Sequence, residues 1–193
     1  MAGYSFAVWT AAALLALLPV QAQASGPVTY PAPLVAAQLR DGSRDFDFET
    51  GSWKAHISRR LRPLTGSNEW VEYKGSSVVR PVWGGKANLG ELDVKGPAGK
   101  IQGLSLRLYD PQSRQWKISW ANAGDGAITP AMIGQFDGKG RGEFYNEDVL
   151  DGRQIFVRFQ FSDISQTSLR IEQAFSADAG KTWEVNWIST FER

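Results

Sequence analysis

The sequence of 193 residues contains no cysteine and only one histidine, His56. Without cysteine the chain can form no disulfide framework, no thiolate metal site, no lipoprotein anchor and no thiol nucleophile. A single histidine excludes metal sites that need several imidazoles, and it leaves His56 as the sole candidate for imidazole chemistry. From the composition we therefore expect no metal site and no cofactor.

Charge is absent from the N-terminal fifth of the chain. All 21 Lys and Arg residues and all 20 Asp and Glu residues lie at or after Arg40, and the formal net charge is +1. Nucleic-acid binding needs a marked basic excess that releases counterions, and this sequence has none. The chain thus divides into an uncharged leader and a charge-balanced domain, for which no nucleic-acid partner is expected.

The leader has most features of a secretory signal. Residues 7–18 are an apolar run too short to span a bilayer as a helix, and Pro19 ends it. The small residues of 21–24 then predict cleavage after Ala24, which makes residues 1–24 a signal peptide. No Lys or Arg precedes the apolar run, so an uncleaved anchor is the alternative. The expectation is a periplasmic or secreted protein without stable membrane insertion after cleavage.

Two further regions follow the leader. Residues 25–44 begin with a proline-rich tether and include residues 34–39, which could form a short helix. Residues 45–193 alternate apolar and polar positions, with turn residues every eight to twelve positions. This pattern predicts an all-β domain of about ten strands, and consecutive hairpins with one apolar face favour an antiparallel up-and-down barrel.

The alternation also predicts which side chains face the barrel interior. Trp116, Ile118 and Trp120 form one apolar row, and Ile155, Val157, Phe159 and Phe161 form another. By the same rule the row of Leu104, Leu106 and Leu108 faces inward, which places Arg107 outside, and Arg158 lies opposite its own apolar row. A register change of one residue would invert any of these assignments.

A Phe-Asp-Phe run at residues 46–48, followed by Gly51-Ser52-Trp53, resembles the start of the calycin barrels: lipocalins, fatty-acid-binding proteins, avidins and nitrobindin-like proteins. Within that group the chain looks most like bacterial lipocalin-like families of unassigned function. The resemblance implies that Trp53 packs beneath a basic residue from the last strand, a position that Arg193 matches. Such a cation–π stack closes the barrel floor and contributes about 1–2 kcal/mol.

The leading functional hypothesis is an exported protein that binds a small, largely apolar or amphipathic molecule inside the barrel, not an enzyme. Aromatic rows would form the walls, and a few polar groups would orient the ligand. Arg59 is expected to face inward beside Ile57, where its guanidinium would form an ion pair with an acidic group of the ligand or a carboxylate of the protein. The candidate ligand-binding residues are Trp120, Phe159, Trp187, Gln173, Tyr73 and Arg59.

Three alternatives remain open at the sequence level. An enzyme with a polar lumen would use Arg107, Arg158, Glu143 and Glu172 for electrostatic and acid–base roles. The resemblance to nitrobindin-like barrels implies haem held by a histidine of a late strand, but residues 140–193 contain none and His56 lies on a polar strand face. The third is a side-chain-filled barrel that only makes protein contacts.

The segment from Ser176 to Trp183 fits the Asp-box pattern of sialidase-type propellers. Propellers carry this motif several times, whereas this chain has it once. We therefore expect only a local hairpin turn, in which the Asp178 carboxylate accepts hydrogen bonds from backbone amides.

Overall fold

The computed structural model describes residues 40–193, which form ten β-strands. The predicted signal peptide and the predicted helix at 34–39 lie outside the described residues. The strands are Gly51–Arg60 (β1), Trp70–Val82 (β2), Ala87–Gly96 (β3), Gly99–Asp110 (β4), Gln115–Asn122 (β5), Met132–Phe136 (β6), Gly142–Leu150 (β7), Arg153–Ser162 (β8), Ser168–Ser176 (β9) and Glu184–Glu192 (β10). Within residues 40–193 there is no helix with the length and apolar character needed to cross a membrane.

The strands close into an antiparallel barrel. Each strand pairs with the next along the chain, and β1 also pairs with β10. Closure leaves no free sheet edge, which is the reason that hairpins of this kind favour a barrel. The tight β7–β8 turn has residue types that suit its backbone conformation. Asp151 (φ 50°) and Gly152 (φ 78°) both adopt the left-handed conformation that such two-residue hairpin loops require. The predicted ten-stranded antiparallel barrel is confirmed.

Directly paired residues on neighbouring strands share a face of the sheet, so the register shows which side chains point inward. The rows predicted for β5 and β8 do face the interior: Trp116 and Ile118 on β5 and Ile155, Val157 and Phe161 on β8 are buried. The prediction for β4 is wrong. Leu104 and Leu106 are each 41% exposed on the outer surface, while Arg107 is buried within the barrel.

The orientation of β4 follows from its neighbours. Tyr109 pairs with Trp116 and Arg107 pairs with Ile118, so these β4 side chains must share the inward face of β5. The Trp120 ring occupies the space over Gly103, where an added Cβ would lie 2.2 Å from Trp120 Cζ2. A leucine cannot replace glycine beneath this ring. Packing of the large β5 rings therefore places Gly103 and Arg107 inside and turns the leucine row outward.

Residues before β1 plug one end of the barrel. Phe46, which is 1% exposed, precedes a 3-10 turn at Asp47–Glu49. Its ring centroid lies 5.0 Å from the centroids of Trp116 and Phe136, and both contacts are edge-to-face. The Trp116 indole Nε1 donates to the Gly42 carbonyl at 2.8 Å, which ties the entering chain to β5. We call the half of the barrel that contains Phe46 the closed half.

The floor of the closed half has the arrangement that the calycin resemblance implies. The Arg193 guanidinium carbon lies 4.0 Å from the Trp53 ring centroid, so the predicted stack is confirmed. Arg193 also donates to the backbone carbonyls of Thr50 at 2.9 Å and Gln166 at 2.7 Å. The Trp53 indole in turn donates to the Glu49 carbonyl at 2.7 Å. Arg193 thus ties the C-terminus to the turn that begins β1.

The Arg193→Ala variant should lower the free energy of unfolding by about 2 kcal/mol, because it removes the stack and the charge-assisted bonds together. Urea unfolding followed by tryptophan fluorescence measures the change. Glu192→Ala is the matched control at an exposed neighbour and should shift stability by no more than about 0.5 kcal/mol. Equal effects of the two variants would contradict the structural role of Arg193.

Candidate functional site

The other end of the barrel, which we call the open half, carries inward-facing rings that are only partly buried. Trp120, Phe159 and Trp187 all face the lumen there and retain part of their solvent exposure. In the closed half, by contrast, Phe46, Phe144 and Phe161 are fully buried against one another. The plug therefore fills one half of the lumen and leaves aromatic surface accessible in the other.

Four of the predicted ligand-binding residues lie in a single row across adjacent strands. Gln173 pairs with Phe159 on one side and with Trp187 on the other, and Trp187 pairs with Arg59. Paired residues share a face, so the four side chains line one continuous strip of the lumen wall. The Trp187 indole donates to Ser189 Oγ at 2.7 Å, which fixes the ring plane along the wall.

Arg59 occupies the predicted face but not the predicted environment. We expected a buried guanidinium that needs a partner, and Arg59 is instead exposed at the mouth of the open half. None of the carboxylates in residues 40–193 forms an ion pair with it. Its neighbour Arg60 is the paired one, with Nη1 3.4 Å from a Glu184 carboxylate oxygen and its guanidinium over the Trp70 ring. Arg59 is therefore a free cation at the entrance.

The two remaining predicted residues also face inward. Tyr73 pairs with Ile57 and is buried, with Gly96 lying close to its ring. Trp120 lies on β5, several strands away from the Phe159–Trp187 row, and its backbone amide donates to Thr129 Oγ1 at 3.0 Å. The structure thus brings four of the six candidates into one row and places the other two elsewhere on the same inner face.

A cavity of about 350 Å³ lies at the rim of the open half. Phe175, two residues beyond Gln173 on the same face of β9, is one of its lining residues. Its volume falls at the lower end of the range for small-molecule sites. Glu184 borders the cavity and accepts a hydrogen bond from the Leu64 amide at 2.6 Å, which holds the β1–β2 loop against β10. The lining residues include Leu64, Arg153, Phe175, Asp178, Trp183 and Glu184.

The β9–β10 turn at this rim forms the hairpin predicted from the Asp-box pattern. The Asp178 carboxylate accepts from the Thr182 amide at 2.9 Å, from the Thr182 hydroxyl at 2.6 Å and from the Ser176 hydroxyl at 2.7 Å. Hydrogen bonds from Thr182, first from its side chain and then from its backbone, lower the pKa of Asp178 to about 2. The carboxylate is thus a structural element of the cavity rim.

The pKa of Asp178 gives a test of this turn. A depressed folded-state pKa contributes stability that is present above the unfolded value of about 3.9 and is lost as the pH falls through the folded value. We expect the Asp178 carboxyl resonance in an NMR titration to have its midpoint near pH 2. The Thr182→Val variant, which keeps the amide but removes the hydroxyl, should move the midpoint upward. A wild-type midpoint near pH 4, the ordinary value for an aspartate, would contradict the hydrogen-bonded turn.

The closed half contains a buried ion pair that the sequence analysis missed. Arg107 donates through Nη2 to Glu49 Oε1 at 3.0 Å, and Nη1 lies 2.9 Å from Oε2. Nη1 also donates to Asn88 Oδ1 at 3.1 Å, and the guanidinium lies over the Phe46 ring at 4.9 Å. Burial raises the pKa of Glu49, although Arg107 opposes the shift. The pairing of Tyr109 with Trp116 across a short turn was the available signal that Arg107 faces inward.

The four residues of the proposed polar lumen do not assemble. Arg107 is inside and bound to Glu49, whereas Glu143 and Arg158 lie on the outer surface, where Glu143 pairs with Gln160. Glu172 is also on the outer face, where it accepts from Arg170 Nε at 2.9 Å. This arrangement corrects the sequence-based alternative of an enzyme built on these four side chains, because the barrel wall separates Arg107 from the other three.

Glu143 nevertheless belongs to an ordered group on the outer surface. It accepts from Tyr145 Oη at 2.9 Å, Arg141 Nε at 3.1 Å and Gln160 Nε2 at 2.7 Å. Burial alone would raise the pKa of Glu143, but the three hydrogen bonds outweigh burial and leave the pKa below its ordinary value. Burial and the charge of Glu143 raise the pKa of Tyr145. These interactions stabilise the outer wall between β7 and β8.

His56 lies on the outer face, as the alternation predicted. Its side chain is half exposed, and Nε2 is 2.8 Å from Glu72 Oε2 on β2. It therefore does not point into the lumen, where an axial ligand to haem would have to lie. Across residues 40–193 no three His, Asp or Glu side chains are grouped as metal ligands would be.

Comparisons with known proteins agree with this architecture at the level of the fold. No family model matches the sequence, and no curated protein matches it. Among solved structures, the S-type phycobiliprotein lyase CPES from Guillardia theta superposes with a TM-score of 0.54 at 13% identity, over 84% of this chain and 98% of that chain. A redesigned β-barrel, mFAP0, solved with DFHBI, gives a TM-score of 0.42 at 11% identity, over 76% of this chain and 99% of that one.

The class of protein that the fold defines is a closed, ten-stranded antiparallel β-barrel, which agrees coarsely with the calycin resemblance. At 13% identity the likeness to the lyase shows the fold alone. Folds of this kind carry many activities, so the function must be argued from the open half of the lumen.

Proposed function

We propose that this protein binds a small, largely apolar molecule in the open half of its barrel. The observation that carries the proposal is the contrast between the two halves of the lumen. Phe46, Phe144 and Phe161 in the closed half are fully buried, whereas Trp120, Phe159 and Trp187 face the lumen and keep accessible surface. Contact with a ligand removes this aromatic surface from water, which favours binding of an apolar molecule. The likeness to a phycobiliprotein lyase supports only the fold on which this site is built.

Each residue has a role that follows from its place. Phe159 and Trp187 provide flat surfaces on either side of Gln173, whose amide offers hydrogen bonds between them. Tyr73 and Trp120 provide surface from other strands. Arg59 stands at the mouth without a protein partner, so it can pair with an acidic group at the outer end of an amphipathic ligand. The rim cavity beside Phe175 provides room for the part of the molecule that extends from the lumen.

Export is the second part of the proposal. The uncharged leader with its apolar run and its small residues before Ser25 supports secretion to the periplasm or the medium. There the protein would encounter apolar molecules of the cell envelope. The absence of cysteine is compatible with either location.

Native mass spectrometry tests both parts in one experiment. We expect the protein purified from the periplasm or medium to have a mass that begins at Ser25, and to retain one small-molecule adduct after incubation with envelope extract. The Trp187→Ala variant should lose the adduct, because it removes one wall of the site. Leu106→Ala, which changes an exposed residue on the outer surface, should keep it. An unloaded wild-type protein would contradict the binding proposal, and an intact leader would contradict export.

A further inference from the structure

Two asparagines on the inner face of the barrel have side-chain atoms without hydrogen-bond partners. Six buried side-chain atoms of residues 40–193 lack such a partner, and four of these belong to charged groups in ion pairs or cation–π stacks. The other two are Asn146 Oδ1 and Asn186 Nδ2. Buried polar groups are usually satisfied, so these two amides indicate where a bound molecule would complete the wall.

Asn186 is the more buried of the two and lies beside the aromatic row. It is the extra residue of a β-bulge between Val185 and Trp187, and it is 4% exposed. Its Oδ1 accepts a hydrogen bond from Gln173 Nε2 at 3.2 Å, which places the amide next to the inward-facing Gln173. This bond leaves Nδ2 as the free atom, and Nδ2 can only donate.

An unsatisfied buried donor costs about 1–3 kcal/mol, and this cost disappears when a ligand supplies an acceptor. The acceptor should be neutral, because Asn186 provides no countercharge and a buried anion without one is strongly disfavoured. A carbonyl oxygen meets both conditions. Water could also accept a hydrogen bond from this amide. The test must therefore compare two molecules that differ only in whether they carry a carbonyl group.

We propose that Asn186 is the specificity-determining residue of the lumen site and that it binds a neutral carbonyl group on a ring-bearing apolar ligand. This inference rests on the proposed binding function and narrows it to a class of ligand. The ring system packs on Phe159 and Trp187, and the carbonyl accepts a hydrogen bond from Asn186 Nδ2. Gln173 acts as a positioning residue, since its bond to Oδ1 holds the Asn186 amide with the donor free.

Two fluorescent probes of matched shape test the inference. One is 6-propionyl-2-(dimethylamino)naphthalene, a ketone, and the other is its 6-propyl analogue, which lacks the carbonyl. Binding to the full protein is measured by probe emission and by energy transfer from tryptophan. We expect the wild type to bind the ketone about tenfold more tightly than the alkyl analogue, after allowance for their different partitioning from water into an apolar solvent.

Variants assign that preference to one atom. Asn186→Leu, which keeps a similar side-chain volume but removes the amide donor, should abolish the ketone preference, as should the smaller Asn186→Val. Asn146→Leu is the matched control, because Asn146 offers a free acceptor that cannot bind a ketone, and the preference should survive. Circular dichroism verifies that each variant folds, and Asn186→Val keeps the test valid if Asn186→Leu does not fold.

Each outcome has a distinct meaning. If neither probe binds the wild type, the proposed function fails and this inference fails with it. If both probes bind with equal corrected affinity, or if Asn186→Leu and Asn186→Val keep the preference, the binding function stands and the role of Asn186 is overturned. Loss of the preference in Asn146→Leu would also overturn it, since the carbonyl would then bind elsewhere.

Discussion

The Arg107→Met variant should lose about 3–5 kcal/mol of the free energy of unfolding, the cost of leaving a buried charge without its partner. Glu49 and Arg107 are 3% and 5% exposed, and a hydrogen bond of 3.0 Å and a second ion-pair contact of 2.9 Å join them inside the barrel. Removal of the guanidinium also leaves Asn88 Oδ1 without its donor. Urea unfolding at neutral pH measures the loss.

The dependence of this loss on pH identifies its cause. Burial already raises the pKa of Glu49, and loss of Arg107 removes the group that opposes the shift. A raised folded-state pKa means that stability is retained below the unfolded value of about 4.3 and is lost as the pH rises through the folded value. The deficit of Arg107→Met should therefore be larger at about pH 7 than at about pH 4.

The double variant Glu49→Gln with Arg107→Met is the control for the charge. With both charges removed, the loss should be smaller than in Arg107→Met alone, and its extra dependence on pH should vanish. A loss below about 1 kcal/mol in the single variant, or a deficit that does not change with pH, would contradict a structural role for the buried pair.

The Phe46→Ala variant should cost about 3–5 kcal/mol, the range for a fully buried phenylalanine whose removal leaves a cavity. Phe46 is 1% exposed, and its ring lies within 6 Å of four other aromatic rings: Trp116, Phe136, Phe144 and Phe161. It also packs beneath the Arg107 guanidinium. Thermal unfolding and urea unfolding should both show this loss of stability.

Trp83→Ala is the control for this change, because the Trp83 side chain is 71% exposed and its removal should alter stability by no more than about 0.5 kcal/mol. If Phe46→Ala and Trp83→Ala had equal effects, the residues before β1 would not plug the barrel. The division of the lumen into a closed and an open half would then be wrong.

Much of the fold could be predicted from the sequence because alternation and turn chemistry are local. The number of strands and the facing of β5 and β8 follow from the side-chain period and from turns such as Asp151–Gly152. The facing of β4 could not be taken from hydrophobicity alone. Its leucines lie outside because Trp120 needs the space above Gly103 and because Arg107 meets Glu49, a partner 58 positions away.

The candidate site was predictable to a similar degree. Gln173 interrupts an apolar row, which marked it as a lumen-facing polar residue, and its strand neighbours Phe159 and Trp187 follow from hairpin pairing. The exposure of Arg59 depends on its position along the barrel axis, near the mouth, and the alternation of apolar and polar residues does not encode that position. Simple alternation along β10 places Asn186 opposite Trp187, on the outer face, because alternation does not encode the β-bulge at that position.

The most direct test of the account uses the tryptophans of residues 40–193 as reporters of position. An NMR spectrum of the indole N–H groups, titrated with 6-propionyl-2-(dimethylamino)naphthalene, separates the two halves of the lumen. The account predicts shifts at Trp120 and Trp187 and none at Trp53 and Trp116, whose indoles donate to backbone carbonyls in the closed half. Substitution of each tryptophan by phenylalanine assigns the signals. No shift at all, or shifts confined to Trp83 and other exposed rings, would contradict ligand binding in the open half.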